Sequence, residues 1–529
     1  MMLKLTKKEL IYILIILLFS TFYRMWEITK QFEVWDETAV VRVGEIYLDA
    51  MKNGDFSKDT WKLNKEHPPF AKYIYGASRI ISLNVPYFTN NLDQEYPIGR
   101  RYTLQKILSV LIGTISVLLV FLLSKKFFSF EIAVLSSLIL SFTPYFIAHS
   151  RVPTQENMVS MFTLLSVYIF FIALDSNLLK NKKFIISAII LGMAIATKYN
   201  AFFYLILFGL LALITYGENF IKSKKLIFQN YIIFIPFISL LTFYILWPWL
   251  WPDPVGRFLD SASRINESRY LEYFLGQFPS PHPWYYFFVY FIATTPPIIL
   301  VGLILFIIKF IWNRTKYDLW FLLFFLTPFL ATFSPLKMDG IRYIFTIYPA
   351  MAIVTAVGYF WFINVSEKYI AEKFTNILSF LIPIIVFLTL FFTAVIYHPY
   401  TWDYYNFIYG GPRGVYQNRL FDFGYWGEGL RSGMNYIYSQ KQDTPKKVFL
   451  YVIPTHVVPP YRDNTVQTSV LEEADYVIIN PAGEWINQTN YLDYDFPEHF
   501  DVVFEEILLD ASIVKVYKRN SPYTGKIIK

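Results

Sequence analysis

The chain has 529 residues, 55% of them hydrophobic and 20% aromatic, with a mean hydropathy of +0.39. Long Ile/Leu/Phe runs at that composition exclude an ordinary soluble protein and point to a multispanning membrane protein. The net charge of +7 lies mostly in Lys and Arg of short loops, where it sets membrane orientation rather than binding nucleic acid, and the absence of cysteine excludes disulfides, thiolate metal sites and a cysteine nucleophile.

The first apolar run follows Lys4, Lys7 and Lys8 like a signal peptide. Thr21-Phe22-Tyr23-Arg24 offers no small-residue cleavage site, so the run is read as a retained span. Runs long enough to cross a bilayer, at about 20 residues each, fall near residues 9–24, 102–124, 130–148, 157–174, 184–199, 201–217, 229–248, 284–308, 317–334, 341–363 and 374–397. The predicted fold is therefore an α-helical polytopic membrane protein of about eleven transmembrane helices. With a cytoplasmic N-terminus, Lys125-Lys126, Lys182-Lys183, Lys224-Lys225, Lys316 and Lys368 all fall in cytoplasmic turns, as the positive-inside rule requires. The outer face then receives loops 25–101 and 249–283 and everything after His398. The expected domains are 1–397, a transmembrane catalytic domain, and 398–529, an extracytoplasmic α/β domain.

No cytoplasmic loop exceeds roughly a dozen residues, too few for a nucleotide-binding βαβ unit of about 30. An enzyme built this way works on the outer face, and any activated group has to arrive on a lipid.

In the first outer loop Val40, Val43, Tyr47, Ala50 and Met51 recur at helical spacing, and Phe70, Tyr73, Ile74, Ala77 and Ile81 do so after Pro68-Pro69. Both stripes predict amphipathic helices lying along the membrane interface, against the alternative of a loop packed on the bundle. The stretch from Tyr404 to Gly429, rich in Tyr, Asn and Gly, is a candidate wall of an outer cavity. Further on, a helix is expected over Gly427–Tyr438 and strands over Lys447–Ile453, Tyr476–Ile479, Val502–Leu508 and Ile513–Tyr517, the last two joined by Leu509-Asp510-Ala511-Ser512 as a hairpin.

Charges close to spans are costly, so their placement is informative. They gather at outer helix ends: Asp36 and Glu37, Arg151 and Glu156, Lys198, then Lys337, Asp339 and Arg342. Asp36 reads either as a general base taking a proton from an acceptor hydroxyl or as a helix N-cap. Lys198 and Arg342 read as holders of a lipid phosphate or as side chains snorkelling to headgroups. Glu66, His67 and His282 invite a divalent-metal reading, with a structural histidine beside Pro68-Pro69 as the plainer one.

The ordered set Trp35-Asp36-Glu37, Glu66-His67-Pro68-Pro69, Ser150-Arg151-Val152-Pro153-Thr154-Gln155-Glu156, Thr197-Lys198, Pro283-Trp284-Tyr285-Tyr286 and Arg342-Tyr343 resembles the GT-C membrane glycosyltransferases of family 39, the protein O-mannosyltransferases and the aminoarabinose transferases. The resemblance implies a polyprenyl-monophosphate-linked sugar as donor, an inverting transfer to a protein, glycan or lipid acceptor at the outer face, and a prokaryotic plasma membrane as the setting. It implies Asp36 as the base, with Glu37 and Glu156 orienting acceptor, sugar or metal, and Lys198, Arg342, Tyr343 and Arg151 around the lipid phosphate. Trp35, His67, Trp284 and Tyr285 would line the acceptor and sugar cavity, and Glu66 and His282 would hold a divalent metal if one is used. His67 stands where the aminoarabinose transferases carry Lys, and Glu156 where the family more often has Asp. The competing classes are a polyprenyl-lipid transporter or flippase, for which no inverted repeat is visible, and a non-catalytic envelope-assembly protein.

Overall fold

The structure, a computed structural model, describes residues 5–30, 33–85, 102–176, 180–222, 230–267, 272–277, 281–334, 340–424, 426–440, 444–451, 464–481 and 499–522. All eleven apolar runs are helical over most of their length. Among the described residues six helices have the length and apolarity to cross a bilayer alone, namely Thr103–Phe127, Gln155–Asp175, Tyr199–Gly217, Lys316–Phe333, Ile347–Ser366 and Glu372–Tyr397. The pair Phe130–Phe142 and Pro144–Ser150 makes a seventh when taken as one bent span, and Lys183–Ile195, Tyr231–Ile245 and Pro297–Trp312 are shorter apolar helices. Helix Glu372–Tyr397 exposes Phe374, Ile377, Phe380, Ile385, Phe392 and Ile396, a face suited to lipid and not to water. The protein is integral to the membrane.

Two spans are broken by proline, and in each a distant side chain satisfies the carbonyls that the break leaves without donors. Pro144 has no N–H for the Leu140 carbonyl four residues earlier, and the span bends there by 66°. Arg24, buried at the end of the first span, donates to that carbonyl at 3.5 Å while Thr143 Oγ1 donates to Ile139 at 2.7 Å. The second break is at Pro296-Pro297, after helix Tyr286–Thr294. There Asn406 donates from its backbone to Ala293 at 2.9 Å and from Nδ2 to Ile292 and Thr295 at 2.5 and 2.8 Å.

The outer loop forms the two expected helices, Trp35–Asn53 and Phe70–Leu83. The first buries Val40, Tyr47 and Ala50 as its spacing predicts. In the second the stripe divides: Phe70, Tyr73 and Ile74 are half-buried against the core, Ala77 and Ile81 face outward, and the buried side carries Lys72, Tyr75, Gly76, Ser78, Arg79 and Ser82. The division follows from how closely the two helices cross. A Cβ on Gly44 would sit 1.8 Å from the Lys72 carbonyl oxygen, and one on Gly76 would sit 2.3 Å from the Gly44 carbonyl carbon. Glycine and small residues therefore face the partner helix, and Ala77 and Ile81 are left for the membrane interface.

The C-terminal part holds a five-stranded sheet of order β2-β1-β3-β5-β4, with β1 Lys446–Tyr451, β2 Thr465–Thr468, β3 Tyr476–Ile479, β4 Phe500–Leu508 and β5 Ala511–Arg519. β1 pairs in parallel with β2 and β3, and β5 runs antiparallel to β3 and β4. Helix Leu430–Ser439 covers one face through Leu430, Met434 and Ile437. The short polar β2 was not expected, and the hairpin turn is two residues, Leu509 and Asp510 at φ 47° and 63°, rather than four. Tyr400, Trp402, Tyr405, Phe421, Phe423 and Trp426 pack in the core of the membrane helices together with Leu508, Ala511 and Ile513 of the sheet, and Leu430, Met434 and Ile437 pack in a second core with the strands.

At this junction two carboxyls are buried together. Asp403 accepts from the Gly424 N–H at 2.7 Å and Glu428 from the Trp426 N–H at 2.6 Å. Burial raises both, and the charge of Glu428 adds to the rise at Asp403; Glu428 lies at about 7. A carboxyl raised in the folded state contributes stability below its unfolded value and loses it as pH climbs through the folded one. Thermal unfolding of the purified protein should therefore move to lower temperature between about pH 5 and about pH 8, with a flatter profile in Glu428→Gln. Equal slopes in the two proteins would remove the pair from this role. At the helix crossing, Gly44→Ala should cost about 1–3 kcal/mol through overpacking. An unfolding midpoint matching wild type would show that the crossing has room.

Candidate active site

The site is assembled by loops that two outer segments hold against helix ends. The turn 62–69 is fixed by Lys72, whose Nζ donates to the carbonyls of Asn64 and His67 at 2.7 and 2.8 Å. Burial lowers Lys72 to about 7, with Glu66 opposing. Ser261, in helix Pro254–Glu267 of the second outer loop, donates to the Lys65 carbonyl at 2.5 Å and is hydrogen-bonded to the Tyr199 hydroxyl at 2.6 Å. Phe70 N–H, an orphan at the start of its helix, donates to the Ala196 carbonyl at the end of helix Lys183–Ile195 at 2.8 Å. Lys198 and the Glu66-His67 turn are thereby tied to one another.

The turn Ile341–Ile344 closes the site from the other side. Gly340, at φ 91°, donates to the Tyr286 hydroxyl at 2.7 Å, and Asn200 Nδ2 donates to the Tyr343 carbonyl at 2.9 Å. The turn aims consecutive side chains at the two charged centres. Arg342 forms an ion pair with Asp36, and its guanidinium lies 4.8 Å from the centre of the Trp426 ring. The Tyr343 ring lies 5.9 Å from Lys198 Nζ, which is 2.6 Å from Glu156 Oε1. Asp36 is 36% exposed, whereas Lys198 and Glu156 are 5% and 3% exposed. The first pair can therefore meet a substrate from the aqueous side, and the second is a buried pair whose separation would cost about 3–5 kcal/mol.

His67 joins this group electrostatically. Burial, followed by the cations Lys198, Lys72 and Arg342, pushes its pKa well below the usual histidine range, so the imidazole is neutral. Asp36 and Glu37 stand in the first turn of their helix, and the cap position itself is Val34. Glu37 turns away from the site and is fully buried. Burial raises it to about 8, with Lys106 opposing and Glu33 adding.

Other expected site residues are placed elsewhere. Arg151 is buried, with Nη1 3.1 Å from His398 Nδ1 and Nη2 donating to the Trp26 carbonyl at 2.9 Å, so it fastens the first span to the last. Trp284 is 67% exposed and packs on Tyr285 and Phe288, with Tyr285 against Phe274. The two metal candidates have different partners: Glu66 accepts from Asn64 Nδ2 at 2.9 Å, whereas His282 lies 3.7 Å from Glu272 and stacks on Tyr286. Among the described residues no three His, Asp or Glu side chains converge as a metal site. Lys337 and Asp339 and the side chain of Trp35 lie outside what the structure describes.

Two residues enter the site that the sequence reading did not single out for it. Trp426 covers Arg342, and buried His149 packs edge-on against Phe345, Trp402 and Trp426 at 4.7, 5.7 and 5.4 Å. The Trp426-Gly427 step in a Tyr/Asn/Gly-rich stretch was the available signal for the first. A histidine seven residues before Glu156 carried none.

Residues 13–252 match the family model of dolichyl-phosphate-mannose-protein mannosyltransferases. No curated protein matches the chain in sequence. Among solved structures the chain is similar to ArnT from Cupriavidus metallidurans bound to undecaprenyl phosphate, at 11% identity and TM-score 0.47 over 96% of this chain and 98% of that one. It is also similar to the archaeal oligosaccharyltransferase AglB from Archaeoglobus fulgidus in complex with an inhibitory peptide and a dolichol-phosphate, at 13% identity and TM-score 0.48 over 89% and 69%. A shorter likeness, 17% identity and TM-score 0.34 over 49% and 34%, is to the S. cerevisiae protein O-mannosyltransferase Pmt1-Pmt2 complex bound to the sugar donor. The stretch matched by the family model carries Asp36, Glu66, His67, Glu156 and Lys198, and over that stretch the chain is similar to the GT-C glycosyltransferases of family 39.

Proposed function

We propose that the protein moves a sugar from a polyprenyl-monophosphate carrier to an acceptor hydroxyl at the outer membrane face, with inversion at the anomeric carbon. The observation that carries this reading is the Arg342-Tyr343 turn, which joins an accessible carboxylate, Asp36, to a buried cation, Lys198, in one site. Asp36 takes the proton of the acceptor hydroxyl as its oxygen attacks the anomeric carbon. The bond from that carbon to the phosphate oxygen breaks, and the electron pair leaves on the phosphate. A phosphate needs no second acid to protonate it, so one base suffices where a glycoside hydrolase needs two carboxyls. Arg342 and Lys198 stabilise the leaving phosphate, the first as a planar donor fork and the second as a point charge. The neutral His67 offers a donor or an acceptor to a sugar hydroxyl without adding charge.

Eleven crossings with a cytoplasmic N-terminus put this site and the C-terminal sheet on the outer side of a prokaryotic plasma membrane, where a lipid-borne donor is the available activated sugar. The sugar is a hexose or pentose, and the acceptor is a protein, glycan or lipid hydroxyl. The second acid of the family pattern, Glu156, serves here to hold Lys198 in place.

The reading is tested with a radiolabelled polyprenyl-phosphate hexose and cell-envelope acceptors, in membranes carrying wild type or Asp36→Asn. Label should move with wild type, and about 10²–10⁴-fold more slowly with the variant. Equal rates would return Asp36 to a structural role, and binding of the lipid without transfer from any of several donor sugars would favour lipid transport. For the buried pair, Lys198→Ala should lose both stability and activity because it strands Glu156. Replacing both, Lys198→Met with Glu156→Met, should recover the unfolding midpoint and leave transfer abolished; recovery of transfer would remove Lys198 from donor binding.

A further inference from the structure

Arg342 holds two positions in the reaction that it cannot fill at once. It is ion-paired with the carboxylate that has to act as base, and it is the more accessible of the two cations assigned to the donor phosphate. A carboxylate tied to a guanidinium is a weaker proton acceptor, because the charge that would attract the proton is already neutralised and a lone pair is occupied.

The surroundings allow the guanidinium to change partners without leaving its seat. The face of Arg342 rests on Trp426 at 4.8 Å, and a ring face attracts a cation without fixing its rotation about the ring normal. Trp426 is itself fixed: it is 2% exposed, its ring lies 5.6 Å from that of Trp402, and its backbone N–H donates to Glu428 at 2.6 Å. One residue along the turn, the Tyr343 ring lies 5.9 Å from Lys198 Nζ, so the turn that carries Arg342 also borders the second cation. Both cations are paired with a carboxylate, but Arg342 is 15% exposed against 5% for Lys198, so an arriving anion reaches Arg342 more readily.

We propose that Arg342, seated on Trp426, is shared between Asp36 and the donor phosphate, so that binding of the lipid-linked donor draws the guanidinium from Asp36 and unmasks the base. The inference rests on the donor reading above and deepens it. Before the donor arrives Asp36 is masked, and once the phosphate is seated the carboxylate is available to the acceptor. The donor therefore binds before a productive acceptor complex forms, and a C-terminal residue, Trp426, takes part in positioning a group of the membrane-embedded site.

A double-mutant cycle on donor-lipid affinity tests the idea, with polyprenyl phosphate as the probe and the full-length protein in nanodiscs. Asp36→Asn should bind the probe about three- to tenfold more tightly than wild type, because Arg342 no longer has to leave an acid. In the Arg342→Gln background the same Asp36→Asn change should alter affinity by less than about twofold. An equal gain in both backgrounds would show plain repulsion between Asp36 and the phosphate and overturn the sharing, as would no gain in either. Should the asparagine variant fail to fold, Asp36→Ser completes the same cycle. A wild-type protein that does not bind polyprenyl phosphate at all would overturn the donor reading itself, whereas binding without the cycle's coupling overturns only this inference.

Discussion

Charge near the ends of apolar helices has to be compensated within the protein, and the consecutive residues Arg342 and Tyr343 do this for both halves of the site. One neutralises Asp36 and the other presents its ring to the Lys198–Glu156 pair. A short 3₁₀ turn suits the task because successive side chains diverge from it by about 120°. A continuous α-helix through residues 341–347 would have separated these side chains by about 100°. The glycine at φ 91° before the turn and the hydrogen bond from Asn200 keep it from joining the helix that follows.

The same requirement explains how a bundle of apolar helices can contain irregular backbone at its outer end. Each break exposes carbonyls that lipid cannot satisfy, and each is answered by a polar group from a distant part of the chain: Arg24 at Leu140, Asn406 around Ala293, the Phe70 N–H at Ala196. These three contacts are also the ties between the first span, the outer loop and the segment after the last span. The breaks place polar backbone and side chains where the chemistry needs them, and the contacts that repair them fix the loops over the site. Removing such a donor therefore acts on the site's geometry as well as on stability.

Much of this was legible in the sequence, and the reason differs by residue. Apolar length made the spans visible, because a bilayer imposes a single dimension on every crossing. Asp36, Lys198, Glu156 and Arg342 stood out because charge beside a span is rare enough to count. The inward face of Phe70–Leu83 did not, because periodicity reports where apolar residues lie and not whether their partner is core or membrane interface. With Gly44 and Gly76 in contact, the interhelical face takes small residues and Lys72, and of the stripe only Ala77 and Ile81 are left facing outward. Trp426 lay in the Tyr404–Gly429 stretch read as a cavity wall, but its contact with Arg342 and the place of His149 were hidden for another reason: they join residues far apart in the chain, and no local pattern encodes such contacts.

The adjacent acids Asp36 and Glu37 show how one helix turn can separate two chemistries that the sequence presents as a pair. About 100° of rotation per residue sends Asp36 to the partly exposed face beside Arg342 and Glu37 into the interior. There burial raises Glu37 to about 8 and keeps it a neutral acid around neutral pH. Two ionised carboxylates side by side would repel an anionic donor and each other. With Glu37 held toward its neutral form, Asp36 is the acid of the pair that meets Arg342 as a carboxylate. The division of roles between the two acids thus comes from environment rather than identity, which is how pairs of carboxyls are commonly set to different tasks.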